Sequence, residues 1–299
     1  MIRIVEVGPR DGLQNEALPI STAAKAAFIR ALFRSGLTEI EATSFVSPKW
    51  VPQLGDAADL WPLLISGPKL SALIPNVKGL ERALEVGVER IALFTAASEA
   101  FTLKNINMTI AQSLSAFAEV VNIFRGKNPD GWIRAYVSTA FECPFSGPVA
   151  PSIVVEVAEK LLTLGVNEIS LGDTIGVAVP SEVRVLTNAV LSTMPVSKLN
   201  YHFHDTRGTA IANVAEALEL GVTSFDSSAA GLGGCPYAPG AGGNLATEDL
   251  VYFLERSGIS TGVNLDLLAT ASLPVLVDLG RSPAAKTQQS VLASLNRRQ

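Results

Sequence analysis

Short runs of apolar and β-branched residues alternate with longer amphipathic stretches along the whole chain, and this alternation limits the possible folds more than any other feature. The short runs predict strands, and the longer stretches predict helices, several of which begin with Ser, Thr or Pro. Repeated strand–helix units are typical of parallel sheets with crossover helices. The predicted strands are residues 2–7, 39–42, 70–74, 90–95, 134–139, 168–172, 199–203 and 224–227, and the predicted helices are residues 21–35, 79–86, 109–125, 151–164, 180–193, 209–220 and 247–257.

The number of units favours a closed barrel over an open sheet. Eight parallel strands close into a (β/α)8 TIM barrel, whereas a doubly wound sheet usually has fewer strands and a glycine-rich phosphate turn after the first one. Residues 8–12 contain no such turn. We therefore predict an α/β fold with one TIM-barrel catalytic domain over residues 1–299, the barrel taking about 1–258 and a C-terminal helical extension 259–299. Four helices should end at a glycine in the left-handed conformation, namely Gly36, Gly87, Gly165 and Gly221.

Composition excludes several classes of protein. The hydrophobic content is 48% and the mean hydropathy is +0.33, but charges interrupt every apolar run, so no membrane span is predicted. The net charge of -5 and the scattered basic residues argue against binding to nucleic acid. The first residues resemble no targeting sequence, which predicts a cytoplasmic protein. The apolar composition and the extra C-terminal segment favour a homodimer or a higher homo-oligomer.

Reactive side chains cluster where the predicted strands end. In a barrel these ends surround one mouth, where the chemistry takes place. Both histidines of the chain, His202 and His204, fall within the five residues 201–205, and a strand would point them to the same side, toward one shared divalent ion. A helix cap or a surface ion pair explains any single carboxylate of this group more simply, but not the set. The set comprises Arg10, Asp11, Glu41, Thr43, Ser44, Ser138, Thr139, Asp173, Thr174, His202 and His204.

A glycine-rich segment over residues 231–244 follows the last predicted strand. Such a segment is typical of a lid that excludes water from an active site, and here it would carry the thiol of Cys235. Asn244, at its end, is either a turn residue or a metal ligand through its amide oxygen. Thr247 is predicted to cap the helix that follows. The other cysteine, Cys143, is interpreted as structural.

The motifs in this chain resemble those of the 3-hydroxy-3-methylglutaryl-CoA lyase family. They are residues 8–16, 44–53, 104–107, 170–176, the His202–His204 strand, the 231–244 segment and residues 244–250, and together they cover nearly the whole chain. That family belongs to a superfamily of metal-dependent barrels that break or form carbon–carbon bonds. The resemblance implies Asp11, His202, His204 and Asn244 as ligands of Mg²⁺ or Mn²⁺, and Arg10, Glu41, Asp173 and Cys235 as the groups around the reaction.

The chemistry of such a lyase agrees with these residue types. Two imidazole nitrogens, a carboxylate and an amide oxygen suit a hexacoordinate divalent ion. The guanidinium of Arg10, held by Glu41, would stabilise an enolate, and Cys235 would protonate it. The base that takes the hydroxyl proton is left open between Asp173 and His202. The expected substrate is an acyl-CoA, contacted by Arg10, Gln14, Ser44, Lys49, Lys104, Tyr136 and Thr174.

Three alternatives remain at this stage. A sister lyase for a longer-branched substrate, 3-hydroxy-3-isohexenylglutaryl-CoA, would use the same catalytic groups. A condensing enzyme resembling isopropylmalate or citramalate synthases would share the His-x-His strand but would lack the cysteine-bearing segment. A metal-binding or acyl-CoA-binding protein without turnover would need neither Arg10 nor Cys235. The sequence does not distinguish leucine breakdown from another acyl-CoA route.

Overall fold

A closed barrel of eight parallel strands forms the centre of the described part of the chain, residues 2–234 and 243–298 of the computed structural model. The first strand pairs with the last, Arg3 opposite Ser224, and also with the second strand, Val5 opposite Glu39, so no barrel edge is left unpaired. This confirms the predicted (β/α)8 TIM barrel and all eight predicted strands. In chain order, the strands are β1 Arg3–Glu6, β2 Glu39–Ser44, β3 Lys69–Leu73, β4 Arg90–Ala96, β5 Trp132–Ser138, β6 Glu142–Cys143, β7 Gly147–Pro148, β8 Glu168–Asp173, β9 Leu199–Phe203 and β10 Ser224–Ser227. The barrel closes in the order β1-β2-β3-β4-β5-β8-β9-β10, and β6 and β7 form a separate two-stranded sheet.

Helices surround the barrel and bury their apolar faces against it. The four predicted C-terminal glycines have positive φ angles, between +80° at Gly87 and +103° at Gly36, and these end the helices and turn the chain back to the sheet. The seven predicted helices are confirmed with ends within a few residues of those predicted. The helices are α1 Thr22–Arg34, α2 Ala57–Leu60, α3 Val77–Glu85, α4 Glu99–Ile106, α5 Ile110–Lys127, α6 Pro151–Thr163, α7 Pro180–Leu191, α8 Ala210–Glu219, α9 Thr247–Arg256, α10 Leu265–Ala271, α11 Leu273–Asp278 and α12 Lys286–Asn296.

The prediction that Thr247 caps α9 is wrong. Thr247 is the first residue of the helix, it follows Ala246, and the structure has no side-chain cap there. Its hydroxyl instead donates to Oε2 of Glu6 on β1 at 2.6 Å. Because Thr247 lies within the first turn and not before it, its hydroxyl is not at the N-cap position, and it binds the buried carboxyl group of Glu6 instead.

The C-terminal segment is helical, as expected. Helix α10 contacts α1, α9 and α12, which places the extension beside the helices of the last and first barrel units. The division into a barrel and an extension remains a prediction. Among the helices of residues 2–234 and 243–298, none has the length and apolar content to cross a membrane.

Charged side chains fill part of the barrel interior. Arg134 on β5, Glu168 on β8 and Asp226 on β10 are at most 2% exposed. Arg134 is 2.7 Å from each of the two carboxylates. Inside a barrel such groups are stable only when they are paired, and here they form a polar column under the mouth.

Candidate active site

His202 and His204 form the centre of the site. His202 is in β9 and His204 follows it directly, so the alternation of a strand points both imidazoles into the barrel mouth. Their Nε2 atoms are 3.2 Å apart, and Oδ2 of Asp11 is 3.8 Å from Nε2 of His202. Asp11, His202 and His204 each offer a ligand atom within 4.8 Å of the others, which makes this cluster a possible site for a divalent metal ion.

Asn244 completes the group of four predicted ligand residues. It forms an isolated β-bridge with His204, and its Nδ2 donates to Oδ2 of Asp11 at 2.8 Å and to the carbonyl of Leu232 at 3.1 Å. Its Oδ1 is buried and has no hydrogen-bond partner among the residues that the structure describes. A buried amide oxygen without a partner is costly unless a ligand uses it, so the donor set fits a metal that prefers oxygen and imidazole ligands.

A single turn of π-helix, Gly8–Gly12, brings Arg10 and Asp11 to the mouth. The amides of Arg10, Asp11 and Gly12 all donate to the carbonyl of Val7, at 2.8 to 3.1 Å, which makes the turn abrupt. Gly8 is required at its start because a Cβ there would lie 2.6 Å from a carboxylate oxygen of Glu6. Such one-turn π-helices occur often at functional sites.

Carboxylates hold the Arg10 guanidinium in a fixed position. Its Nε donates to Oε1 of Glu41, and its Nη1 donates to Oδ1 of Asp11 at 2.6 Å. The hydroxyl of Tyr136 donates to the other oxygen of Glu41 at 3.0 Å, and the Tyr136 ring lies 5.4 Å from the guanidinium carbon. Burial would lower the pKa of Arg10, but Glu41 and Asp11 outweigh it and raise that pKa. The guanidinium is therefore a permanent, oriented positive charge beside the histidine pair.

Asp11 stays ionised in this setting. Burial would raise the pKa of Asp11, but the Arg10 guanidinium and the two imidazoles hold it well below its usual range. An ionised carboxylate is the form that binds a metal.

Asp173, at the end of β8, differs from Asp11 in that its pKa is raised. Burial raises its pKa to about 6, although the amides of Val177 and Ala178 each donate to the carboxylate at 3.0 Å. Such a carboxyl group can exchange a proton near neutral pH. The hydroxyl of the next residue, Thr174, accepts from the amide of Thr139 at 2.7 Å and so supports Thr139, which has a φ of +54°.

The other predicted substrate residues differ in exposure. Ser44 is fully buried, with its hydroxyl donating to Leu73 O and accepting from the Val46 amide, both at 3.2 Å. Gln14 is half-buried just after the π-turn. Lys49 and Lys104 are exposed.

Lys104 is placed by a neighbouring aromatic ring, because its ammonium group lies 4.2 Å from the centre of the Phe145 ring. The remaining predicted catalytic residue, Cys235, lies outside the described residues. The roles of all these side chains in binding stay predictions.

Sequence reasoning missed two residues that contact the site from below. Oδ2 of Asp226 is 3.1 Å from Nδ1 of His202, and Arg134 forms an ion pair with the other oxygen of Asp226. Charged residues in the middle of barrel strands, where apolar ones are expected, were the available signal.

Comparison with known proteins identifies the family. The model of the HMGL-like family matches residues 1–275. This chain belongs to the HMGL-like family. Among curated members, the human mitochondrial hydroxymethylglutaryl-CoA lyase is 48% identical over 291 residues, which are 97% of this chain and 89% of that protein.

Solved structures of HMGL-like relatives share the whole fold. A hydroxymethylglutaryl-CoA lyase from Pseudomonas aeruginosa superimposes with a TM-score of 0.95 at 46% identity, covering 98% of both chains. An HMG-CoA lyase from Acinetobacter baumannii, solved with coenzyme A and 3-methylmalate, gives a TM-score of 0.92 at 39% identity, covering 97% of this chain and 95% of the other. Membership of this family makes the chain a carbon–carbon lyase, in agreement with the resemblance in its motifs.

Proposed function

We propose that this protein is a lyase that cleaves 3-hydroxy-3-methylglutaryl-CoA to acetyl-CoA and acetoacetate. The observation that carries the proposal is the fixed guanidinium of Arg10 directly beside the Asp11–His202–His204 cluster. This pairs a cationic group for a developing enolate with a site for the substrate's oxygen atoms. The full-length similarity to hydroxymethylglutaryl-CoA lyases supports the same reaction.

The site requires Mg²⁺ or Mn²⁺, held by Asp11, His202, His204 and Asn244. When bound, the ion supplies Lewis acidity, which makes the tertiary hydroxyl of the substrate far easier to deprotonate. Two features support oxygen ligation by this chain: Oδ1 of Asn244 has no hydrogen-bond partner in the described part of the chain, and Asp11 is ionised. Among the described residues the cluster consists of a carboxylate and two imidazoles without a thiolate, which favours these ions over zinc.

Arg10 stabilises the charge that develops as the carbon–carbon bond breaks. Electrons of that bond move onto the thioester, and the resulting enolate oxygen is anionic. Because Glu41 and Asp11 already orient the guanidinium, little reorganisation is needed during the reaction. Tyr136 supports Glu41 from the barrel interior.

Asp173 is our choice for the base that accepts the hydroxyl proton. Its pKa of about 6 suits proton transfer near neutral pH. His202 suits it less, because Nδ1 is next to Asp226 and Nε2 faces the cluster. Cys235, carried by the 231–244 segment, is proposed to protonate the enolate carbon and so release acetyl-CoA.

The coenzyme A part of the substrate is proposed to meet Lys49 and Lys104, which are exposed cations. Coenzyme A is present in the solved lyase from A. baumannii, which supports an acyl-CoA ligand. Gln14, Ser44 and Thr174 remain proposed substrate contacts. A cytoplasmic location, a homo-oligomeric state and a place in leucine degradation remain predictions.

The deciding experiment is a coupled assay of acetoacetate release from 3-hydroxy-3-methylglutaryl-CoA. Metal-stripped protein should be inactive, and added Mg²⁺ or Mn²⁺ should restore release. The isohexenyl analogue is assayed in parallel, and a preference for it would assign the sister lyase instead. No release from either compound, with coenzyme A liberated from acetyl-CoA and a 2-oxo acid, would assign a condensing enzyme; no turnover at all would leave a binding protein.

A further inference from the structure

Asp226 is a buried carboxylate in the middle of β10, next to the metal-site cluster but not part of it. It is 1% exposed, and its Oδ2 is 3.1 Å from Nδ1 of His202. The other ring nitrogen of His202, Nε2, faces Nε2 of His204 and Asp11. The two nitrogens of one imidazole are therefore divided between a carboxylate below and the cluster above.

An ionised carboxylate can only accept a hydrogen bond, so it requires the proton of neutral His202 to be on Nδ1. The lone pair is then on Nε2 and points into the cluster. We infer that Asp226, held by Arg134, is a positioning residue that fixes the tautomer and the orientation of His202 for metal binding. The inference rests on the proposed function only in that the cluster must bind a divalent ion.

Arg134 keeps Asp226 ionised and in place. Its Nη1 is 2.7 Å from Oδ1 of Asp226, its Nε donates to Glu168 at 2.7 Å, and it is 1% exposed. Ser170 donates a further hydrogen bond to Oδ2 of Asp226 at 3.0 Å. Three elements, β5, β8 and β10, thus hold the carboxylate rigidly against the imidazole.

Arg134 also connects the residues around His202 to the residues around Arg10. Its Nη1 donates to the hydroxyl of Tyr136 at 3.2 Å, and that hydroxyl donates to Glu41, the partner of Arg10. The arginine therefore links the carboxylate under His202 to the residues that orient Arg10.

The two histidines are expected to carry their protons on different ring nitrogens. Nδ1 of His204 is buried, and no described residue forms a hydrogen bond with it. If Nε2 of His202 carries only a lone pair, the 3.2 Å contact between the histidines requires Nε2 of His204 to be the donor. Metal-free protein should therefore contain one imidazole protonated on Nδ1 and one on Nε2.

Nuclear magnetic resonance tests this directly, because the chain has only two histidines. Protein labelled with ¹⁵N-histidine is stripped of metal, and multiple-bond ¹H–¹⁵N correlations are recorded at alkaline pH, where both rings are neutral. A His204→Gln variant assigns the two rings. We expect His202 to carry its proton on Nδ1 before and after Mg²⁺ is added, and an Nε2-protonated His202 would overturn the inference.

Substitution tests the consequence for metal binding. Asp226→Asn offers an amide in place of the acceptor-only carboxylate, so we expect the His202 tautomer to become mixed and Mn²⁺ affinity, measured by electron paramagnetic resonance, to fall about 10- to 100-fold. Ser170→Ala is the matched control, because it removes a hydrogen bond to the same oxygen without touching His202. Equal losses in both variants, or unchanged affinity in Asp226→Asn, would contradict the positioning role.

The spectra of the unsubstituted protein decide the question even if Asp226→Asn fails to fold. They also separate this inference from the proposed reaction. Protein with the expected tautomer and the expected loss of Mn²⁺ affinity, but without cleavage of the thioester substrate, would refute the proposed function alone.

Discussion

Arg10 carries the charge that the proposed reaction needs most, and it is not itself a proposed metal ligand. Replacing it with glutamine, in Arg10→Gln, keeps a polar side chain but removes the cation that stabilises the enolate. Loss of one such oriented group lowers kcat by a factor of about 10² to 10³. Mn²⁺ affinity should change much less, because Arg10 is not a ligand. Steady-state kinetics at saturating metal and a Mn²⁺ titration measure the two effects.

His204→Ala is the counterpart of that variant. It removes a proposed ligand, so Mn²⁺ affinity should fall clearly. Full turnover in both Arg10→Gln and His204→Ala would show that the site has been placed wrongly.

At this scale the sequence predicted the residues at strand ends and missed those within strands. Arg10, Asp11 and His202 could be placed because residues at the ends of barrel strands face one mouth. Asp226 and Arg134 could not, because a charged residue inside a strand is read as pointing to solvent. Only closure of the barrel, which buries both faces of each strand, shows that these two charges must pair.

Strand β1 holds the single turn of π-helix, Gly8–Gly12, through Glu6. The Glu6 carboxylate accepts from the amide of Gly8 at 2.8 Å, from the amide of Ala229 at 2.9 Å and from the hydroxyl of Thr247 at 2.6 Å. It therefore ties the turn bearing Arg10 to the short 3₁₀ helix Ala229–Gly231 and to the start of α9. The sequence could not show this, because two of the three contacts, those from Ala229 and Thr247, join segments more than 200 residues apart along the chain.

A second carboxylate fixes the same 3₁₀ helix. Both oxygens of Glu248, on α9, accept from the amide of Ala230, whose φ is +59°. Ala230 is a non-glycine residue in the left-handed region, so this hydrogen bonding offsets a local strain.

These two carboxyl groups make stability depend on pH. Burial raises the pKa of Glu6 to about 7 and that of Glu248 to about 8. The folded protein thus binds more protons than the unfolded chain between pH values of about 4.5 and 8, and stability should fall as the pH rises through this window. Glu248→Gln removes one titrating group, and we expect its Tm to fall less between pH 5 and 8 than that of the unsubstituted protein, by about 2 °C or more.

Differential scanning calorimetry across that range provides the measurement. Glu156→Gln is a suitable control, because Glu156 is exposed on helix α6 and, among the described residues, pairs only with Lys160, at 2.6 Å. Parallel Tm curves for Glu248→Gln and the unsubstituted protein would mean that Glu248 does not titrate in this window.

Prediction of the elements themselves succeeded where the local pattern is strong. The alternation of short apolar runs with longer amphipathic stretches predicted every barrel strand, and glycines such as Gly36 and Gly165 marked the ends of helices. Helix α4 and the hairpin of β6 and β7 were missed because they lie within loops between barrel units, where short segments carry little periodicity.

Across the whole molecule, polar side chains run from the amino ends of the barrel strands to the mouth. Arg3 on β1 pairs with Glu39 on β2 and with Glu168 on β8, and Glu168 continues the network through Arg134 and Asp226 to His202. The lower part of this network joins the first strand to the second and to one across the barrel, so it should contribute to stability. The upper part contacts the proposed metal site.

Substitution of Glu39 separates the contribution of this network to stability from its contribution to the proposed metal site. Burial would raise the pKa of Glu39, but Arg3 and Lys69 outweigh it and lower that pKa to about 2. The stabilisation from the ionised form is therefore fully present above the ordinary value of 4.5 and is lost as the pH falls toward about 2. Glu39→Gln should lower the free energy of unfolding at neutral pH by about 1 to 2 kcal/mol, because Arg3 and Arg90 lose a buried partner but are themselves partly exposed, and Arg3 keeps Glu168.

Urea denaturation at neutral pH and at about pH 3 tests this, since the difference between Glu39→Gln and the unsubstituted protein should shrink in acid, because Glu39 of the unfolded chain takes up its proton below its ordinary pKa of 4.5. Glu156→Gln again serves as the control, because an exposed pair of this kind contributes less than about 1 kcal/mol. The kcat of Glu39→Gln at neutral pH should stay unchanged, since Glu39 begins β2 whereas the proposed reaction occurs where the strands end. A variant that kept its stability but lost turnover would mean that the lower network serves the site rather than the closure of the barrel.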